Sequence, residues 1–529
     1  MRIESVKIDG FKNLKKFSIS LDKTKMHSVL IGQNAAGKSN FIEALVIIFR
    51  DLDLNDKTHP EFDFDINYHC TDFHIRIIGN SLKEFAHELP FIEQQKVGFT
   101  FFVNNEKITK TDFYRNKSNF LPKHVFSYYS GISNRLEEHF DIHQRRFLKD
   151  LLDGVDDPMR PLFYARHIHS HFVLMAFYGF PEFKTKQFLK KYLSILGLES
   201  ILFVLKNPYW FKGKSIKGGD PKFWYAKGVV KDFLNDLWDA SVAPIPINEK
   251  VREDFHKNPD QEHIYLYISN EEKLAALANK YGSNANFFKM LESTYISDLI
   301  HEVRVKVIKE NVEGHITFKE LSEGEQQLLT VLGLMRFTKE SDTLFLLDEP
   351  DTHLNPLWKW SYIDLMEEVV DKDNSSQVIM TTHDPLVIGS LTKSEVRIFQ
   401  SKNQQLEVIE PSFDPLGLGV EGVLTSEFFN LPTSLAPEIA KSIEDQNDLI
   451  LKRNLKGLTA KEKQKLFELN NYLDEIGVFQ KSIDPLYDDF LKAYEKLNTN
   501  VILPTNAAER EKKEEQVLKV LMDLKNKNK

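Results

Sequence analysis

Apolar positions along this chain gather into a few short unbroken runs, set among longer stretches with helical or alternating spacing. The run Ser28 to Ile31 reads as a buried strand, and Phe41 to Phe49 continues after a glycine-containing turn as an amphipathic helix. Thr343 to Leu347 and Gln377 to Met380 are equally unbroken and are bounded by polar residues, as strands covered on both faces are. Ile3, Val6 and Ile8 alternate imperfectly, and Phe73 to Ile78, Val97 to Val103 and Glu395 to Gln400 add further strand candidates. From 136 to about 300 the pattern turns helical, over Leu136 to Leu152, Lys184 to Val204 and Glu272 to Leu291. These runs are too short and too broken by Pro and Gly for a long coiled coil. Two strands are expected from Val303 to Lys319. Thr459 and Glu462 then make a capping box ahead of an apolar stripe of Leu466, Leu469, Leu473 and Ile476, and a last helix follows Pro504 with Val517, Leu521 and Leu524 on one side.

The pattern predicts an α/β head in two lobes, residues 1–135 and 302–434. A mainly helical insertion, 136–301, separates the lobes, and a helical extension, 435–529, follows them.

The polar residues that close the apolar runs carry the candidate chemistry. Gly32 to Ser39 has the form G-x-x-x-x-G-K-S, in which the glycines let backbone N–H groups converge on phosphates at a helix N-terminus. This predicts ATP as ligand, with Gly32, Asn34, Gly37, Lys38, Ser39 and Asn40 around it, Lys38 on the β- and γ-phosphates and the Ser39 hydroxyl on Mg²⁺. The run ending at Leu347 is followed by Asp348 and Glu349, a Walker B pair: Asp348 to hold the Mg²⁺ shell and Glu349 to orient the attacking water. Leu321 to Gln327 places Ser322, Gly324 and Glu325 at the start of a helical stretch, where free N–H groups suit a second anion contact. Gln377 to Met380 leads to His383, an imidazole placed to report the γ-phosphate.

Phosphate loop, Ser322 signature, Walker B, the following Asp351 and the switch His383 occur in the order of the ABC-type ATPases, which this chain resembles. In that family the signature of one head faces the phosphate loop of another. The resemblance therefore implies a homodimer or higher oligomer with ATP sandwiched at a two-fold interface, and Asp351 crossing that interface. The interval between phosphate loop and signature is much longer than in transporter ATPases, and Arg2 to Leu14 is similar to the opening of the SMC, RecF and OLD branch. Phe11, Lys12 and Asn13 would then lie near the nucleotide. No Q-loop glutamine follows Phe120; Val125 to Arg135 occupies its place. OLD-type nucleases carry a Toprim domain toward this end of the chain, and nothing after 400 supplies its carboxylates, so no nuclease activity is expected of this chain. Within the branch, Tyr128 to Arg135 and Gly417 to Pro432 resemble the PtuA-type ATPases of Septu and some retron antiphage systems. That likeness implies a separate HNH-type nuclease (PtuB-like) as partner, and in retrons a reverse transcriptase with its DNA product. The alternative is a RecF-like DNA-repair clamp with no nuclease partner.

Composition narrows this further. A net charge of −9 makes any nucleic-acid contact a local patch, and Lys212, Lys214, Lys217 and Lys222, interleaved with aromatics, are the candidates against a solvated loop with its rings packed inward. The one cysteine excludes intramolecular disulfides and a C-x-x-C zinc hook, and suits a reducing cytoplasm. No uninterrupted apolar stretch of membrane-spanning length occurs, and the first residues read as a charged strand, so no membrane contact is expected. His167, His169 and His171 would face one way on a strand and could then hold a metal; their surroundings read as helix, which scatters them.

Overall fold

The structure is a computed structural model. It describes residues 1–81, 96–155, 161–250, 256, 260–310, 316–317, 320–337, 342–369, 376–402 and 405–476. The last expected helix, with Val517, Leu521 and Leu524, lies outside the described residues, as does part of the 303–319 segment. The chain divides into two compact units, Met1–Asn430 and Leu431–Lys529.

In chain order the strands of the first unit are β1 (Arg2–Asp9), β2 (Phe17–Ser20), β3 (His27–Gly32), β4 (Asp63–Cys70), β5 (Phe73–Asn80), β6 (Gly98–Val103), β7 (Glu106–Ile108), β8 (His124–Tyr129) and β9 (Leu162–Tyr164). They continue as β10 (Ile195–Lys206), β11 (Ile245–Lys250), β12 (Asp260–Ile268), β13 (Ile300–Lys309), β14 (Ile316–Thr317), β15 (Thr343–Asp348), β16 (Gln377–Thr381), β17 (Val396–Lys402) and β18 (Gln405–Ile409). Three sheets result, in the orders β2-β1-β4-β5-β6-β7, β11-β12-β10-β13-β14 and β18-β17-β3-β16-β15-β8-β9. The third is parallel from β17 to β9, with β18 antiparallel at its edge.

The unbroken apolar runs are the interior strands of that parallel sheet, and alternate residues serve two different cores. Leu30, Leu344, Leu346 and Ile379 face a core shared with the helix Lys38–Leu54 and the β1-β4-β5 sheet. Val29, Ile31, Phe345, Leu347, Val378 and Met380 face a second core. The helix Lys38–Leu54 is buried nearly all round. Its sequence therefore had to be apolar on more than one stripe.

The second core is built on the helix Ile168–Gly179, which packs against the helices Glu323–Phe337, Glu271–Asn279 and Asn284–Ile296. Gly333 lets two of these helices approach closely, since a Cβ there would lie 2.2 Å from Val173 Cγ1.

Two expectations need correction. The helix expected over 184–204 ends early, at a left-handed Ser194 (φ 54°), and the β-branched and aromatic residues that follow form β10. The strands expected after Val303 do not enter the parallel sheet. β13 pairs with β10 and β14, its inward Val303, Val305 and Val307 joining the second core. The insertion thus carries a five-stranded antiparallel sheet beside its helices.

Among its described residues the second unit holds two helices, Pro437–Lys456 and Ala460–Glu475, tied by Gln446 to Asn470 (2.7 Å) and Lys465 to Asp445 (2.8 Å). The capping box forms, with the Thr459 hydroxyl donating to Glu462 at 2.8 Å. Leu466 and Leu473 are buried, Leu469 is half-buried and Ile476 is exposed.

Candidate nucleotide site

Strands β3, β16 and β15 lie side by side and parallel, so the residues at their carboxyl ends converge on one edge, where open α/β sheets place their ligands. Those ends are Gly32 with the phosphate loop, Thr381 to His383, and Asp348 with Glu349. A cavity of about 630 Å³ opens there, lined among others by Asn34, Gly37, Lys38, Ser39, Asn40, Glu349 and His383.

The loop's glycines are required by geometry. Gly32 has φ 143° and passes so close to β17 that a Cβ would lie 2.2 Å from the Phe399 carbonyl oxygen. Gly37 has φ 87° and caps the helix N-terminus with no side-chain acceptor for its first N–H groups, at residues that line the cavity. Lys38 donates to the carbonyls of Gly32 (2.8 Å) and Gln33 (3.1 Å). Burial lowers its pKa to about 8, against the opposing pull of Glu349 and Asp348.

Asp348 is fully buried; its Oδ1 accepts from Thr381 (2.6 Å) and Ser39 (3.1 Å), whereas Oδ2 has no hydrogen-bond partner. Burial raises its pKa, with the two hydroxyls acting the other way. An uncompensated buried carboxylate oxygen beside the Ser39 hydroxyl suits a hard divalent cation, so the donor set fits the expected Mg²⁺. Glu349 adopts φ 53°, its N–H held by the Thr381 hydroxyl at 3.0 Å. That turn projects its carboxylate to 3.1 Å from His383 Nε2. The hydrogen bond from His383 lowers the Glu349 pKa.

Asn13 joins the site as expected, accepting from Asn40 at 2.7 Å and donating to the Ala35 carbonyl at 3.2 Å. Lys12 and Arg135 line the same cavity. Both bind Glu43, on the helix that starts at the phosphate loop, Lys12 at 2.5 Å and Arg135 at 2.6 Å, and Arg135 also reaches Asn40 at 2.6 Å. Burial of Glu43 is outweighed by hydrogen bonds from His139, Lys12 and Arg135, which hold its pKa near 2. Arg135 is the residue that sequence reasoning missed. The available signal was its place at the end of the segment standing where the Q-loop belongs.

Ser322, Gly324 and Glu325 are not among the residues lining this cavity. Glu325 is nearly buried and closes a capping box, accepting from the Ser322 N–H (2.8 Å) and hydroxyl (3.0 Å) while paired with Lys309 at 2.5 Å. Its carboxylate thus holds the start of the helix. At Gly324 a Cβ would lie 2.4 Å from the His353 carbonyl oxygen, so the signature helix is pressed against the loop that follows Walker B. Asp351, expected to cross to a partner, is 3% exposed in the single chain and turned inward, accepting from the Thr382 hydroxyl at 2.7 Å. Burial raises its pKa to about 6.

The lysine-rich stretch packs its rings inward: Trp210 donates to the Ser297 carbonyl at 2.7 Å, Trp224 is 4% exposed, and Phe211 stacks on Tyr225. Lys222 lies over Trp238 and donates to Asn235 at 2.7 Å, Lys212 donates to the Tyr209 carbonyl at 2.8 Å, and all four lysines, Lys214 and Lys217 included, are exposed. His169 is buried on a helix, its ring accepting from the Arg166 N–H at 2.8 Å, and the three imidazoles of 167–171 form no metal-ligand cluster. No helix among the described residues is long and apolar enough to cross a membrane.

Two family models match the chain: an AAA ATPase domain over residues 1–158 and an "AAA domain, putative AbiEii toxin, Type IV TA system" over residues 190–389. Septu protein PtuA of Bacillus mycoides (strain KBAB4) is 26% identical over 40% of this chain and 30% of its own length. The Retron Vc95 probable ATPase of Vibrio cholerae serotype O1 biovar El Tor is 24% identical over 41% of this chain and 48% of its own. The chain thus spans less than half the length of either curated relative. An SMC head domain from Thermotoga maritima is similar at 12% identity and TM-score 0.32, covering 78% of this chain and all of that one. The two domain models each match less than half of the chain, and over the aligned parts the chain is similar to a Septu PtuA protein and to a retron probable ATPase.

Proposed function

We propose that this chain binds and hydrolyses ATP as one half of a homodimer, and that its nucleotide state controls a separate nuclease in antiphage defence. The observation that carries the reading is the buried Asp348, its Oδ2 uncompensated and its Oδ1 on Ser39, at the edge where Lys38 and the Glu349–His383 pair line one cavity. Ser39 and Asp348 would hold Mg²⁺, which when bound neutralises charge on the transferring phosphate. Lys38 and the helix N-terminus bind the β- and γ-phosphates; Glu349 orients the attacking water, and His383 holds Glu349 in place and ionised. Ser322 and Gly324 lie outside the cavity, so a second copy would present them to this chain's phosphate loop.

The likeness to Septu and retron proteins supports an HNH-type nuclease (PtuB-like) as partner, and in a retron setting a reverse transcriptase with its DNA. The exposed Lys212, Lys214 and Lys217 favour a second reading, a RecF-like clamp that closes on nucleic acid and has no nuclease.

Phosphate release from ATP with Mg²⁺ tests the enzyme, and Lys38→Ala should abolish it. Mixing Ser322→Arg with Lys38→Ala chains should restore one working site per heterodimer, and failure of that rescue counts against composite sites. Co-expression with neighbouring genes should yield a stable complex with a nuclease. A solitary dimer whose hydrolysis is stimulated by DNA would instead establish the clamp.

A further inference from the structure

Away from the nucleotide site, on the β1-β4-β5 sheet, Glu4, His69 and His74 bring one carboxylate and two imidazoles within 4.8 Å of one another. His69 and His74 are directly opposed across the β4–β5 pair, with ring centroids 5.0 Å apart. Glu4 arrives from the next strand by a local irregularity: the β1–β4 register shifts between Ile3 and Ser5, making Glu4 the extra residue of a bulge. Bulges re-aim side chains, and this one sends the Glu4 carboxylate to both histidines. Its two oxygens lie 3.1 Å from His69 Nε2 and 3.4 Å from His74 Nε2.

We propose that Glu4, His69 and His74 form a binding site for a zinc-type divalent cation that staples three strands of this sheet. With Zn–N and Zn–O bonds of about 2.0–2.1 Å, the edge of a tetrahedral zinc site is ~3.3 Å, close to the 3.1 and 3.4 Å that separate the Glu4 carboxylate from the two imidazoles. Two imidazoles and one carboxylate select a borderline transition metal over Mg²⁺ or Ca²⁺, which take all-oxygen shells.

A second observation points the same way. The Lys23 ammonium is seated on the cluster, paired with Glu4 and 3.2 Å from His69 Nε2. Two of the three groups thus already attract a cation, contributed by a half-exposed flexible side chain that can swing into solvent when a metal takes its place. Lys23 is therefore a built-in competitor. Its removal should tighten metal binding, whereas loss of either histidine should weaken it.

The test is calorimetric titration of the full chain with Zn²⁺ alone, without nucleotide, after chelator treatment. Wild-type protein should take up one more equivalent than His69→Ala/His74→Ala, and Lys23→Met should bind that equivalent several-fold more tightly. Zn²⁺ should raise the melting temperature of the wild type more than that of the double variant, and tenfold excess Mg²⁺ should not displace it. Equal stoichiometry in the wild type and double variant, or weaker binding by Lys23→Met, would overturn the assignment. Circular dichroism of each variant separates a lost ligand from a lost fold.

Discussion

His383 Nε2 stands 3.1 Å from the Glu349 carboxylate at the ends of two adjacent parallel strands. The contact keeps the acid ionised, since hydrogen bonding from His383 is the largest influence on Glu349 and lowers its pKa.

Glu349→Gln should therefore bind ATP normally and hydrolyse it at least about a hundredfold more slowly, because water is no longer oriented by a carboxylate. His383→Ala removes the lowering influence, so the Glu349 pKa rises and the acid limb of the rate profile moves to higher pH. Nucleotide binding and phosphate release measured from about pH 3.5 to 8 check both statements. An unmoved acid limb in His383→Ala would show that the pair does not set the ionisation of Glu349.

Lys38 offers a test at the other end of the pH scale. Its free-state pKa of about 8 reflects burial, and the anionic phosphates of ATP would raise it. Binding above pH 8 must then take up a proton, and affinity should fall by up to about tenfold per pH unit between 8 and 10. Titrations at pH 8.5 in two buffers of different ionisation enthalpy should differ in apparent heat by the proton taken up.

Asp351 is held with a pKa of about 6, above the unfolded value, because it is buried. Between roughly pH 4 and 6 the native state binds more protons than the unfolded state, so ionisation of Asp351 makes stability decline as pH rises through that window. Asp351→Asn keeps the acceptor for the Thr382 hydroxyl and removes the charge. Relative to wild type, it should be more stable at pH 7 than at pH 4.5, by about 2 kcal/mol. Urea unfolding at the two pH values measures the difference.

Gly324→Ala places a methyl group 2.4 Å from the His353 carbonyl oxygen, and a backbone neighbour cannot yield as a flexible side chain can. A cost of about 1–3 kcal/mol is expected, with displacement of the loop that carries His353. Thermal unfolding and hydrogen exchange at residues 351–355 would reveal it; protection unchanged from wild type would mean that the helix start shifts instead.

The nucleotide site was legible because its chemistry is local. The phosphate loop needs Gly32 and Gly37 for backbone reasons, and Asp348, Glu349 and His383 each follow directly on an apolar strand. Glu325 and Asp351 show the opposite case. Both are acids within motifs, and only their surroundings, Lys309 with the Ser322 cap and the burial beside Thr382, turn them inward. The insertion's sheet escaped because 184–204 is apolar at helical spacing in its first half, and periodicity gave no warning that Ser194 would stop the helix.

The sequence by itself determined β3, β15, β16 and β17 of the parallel sheet, the phosphate loop, the acids and the histidine that follow those strands, since unbroken apolar runs and glycines with positive φ are properties of neighbours along the chain. Only the tertiary structure decided that β16 lies between β3 and β15 and brings Lys38, Asp348 and His383 to one edge. It alone recruited Arg135 to Glu43, pressed Gly324 against His353 and gathered Glu4, His69 and His74 from three strands. These are contacts between residues far apart in the chain, set by sheet order and register, which one-dimensional periodicity does not encode.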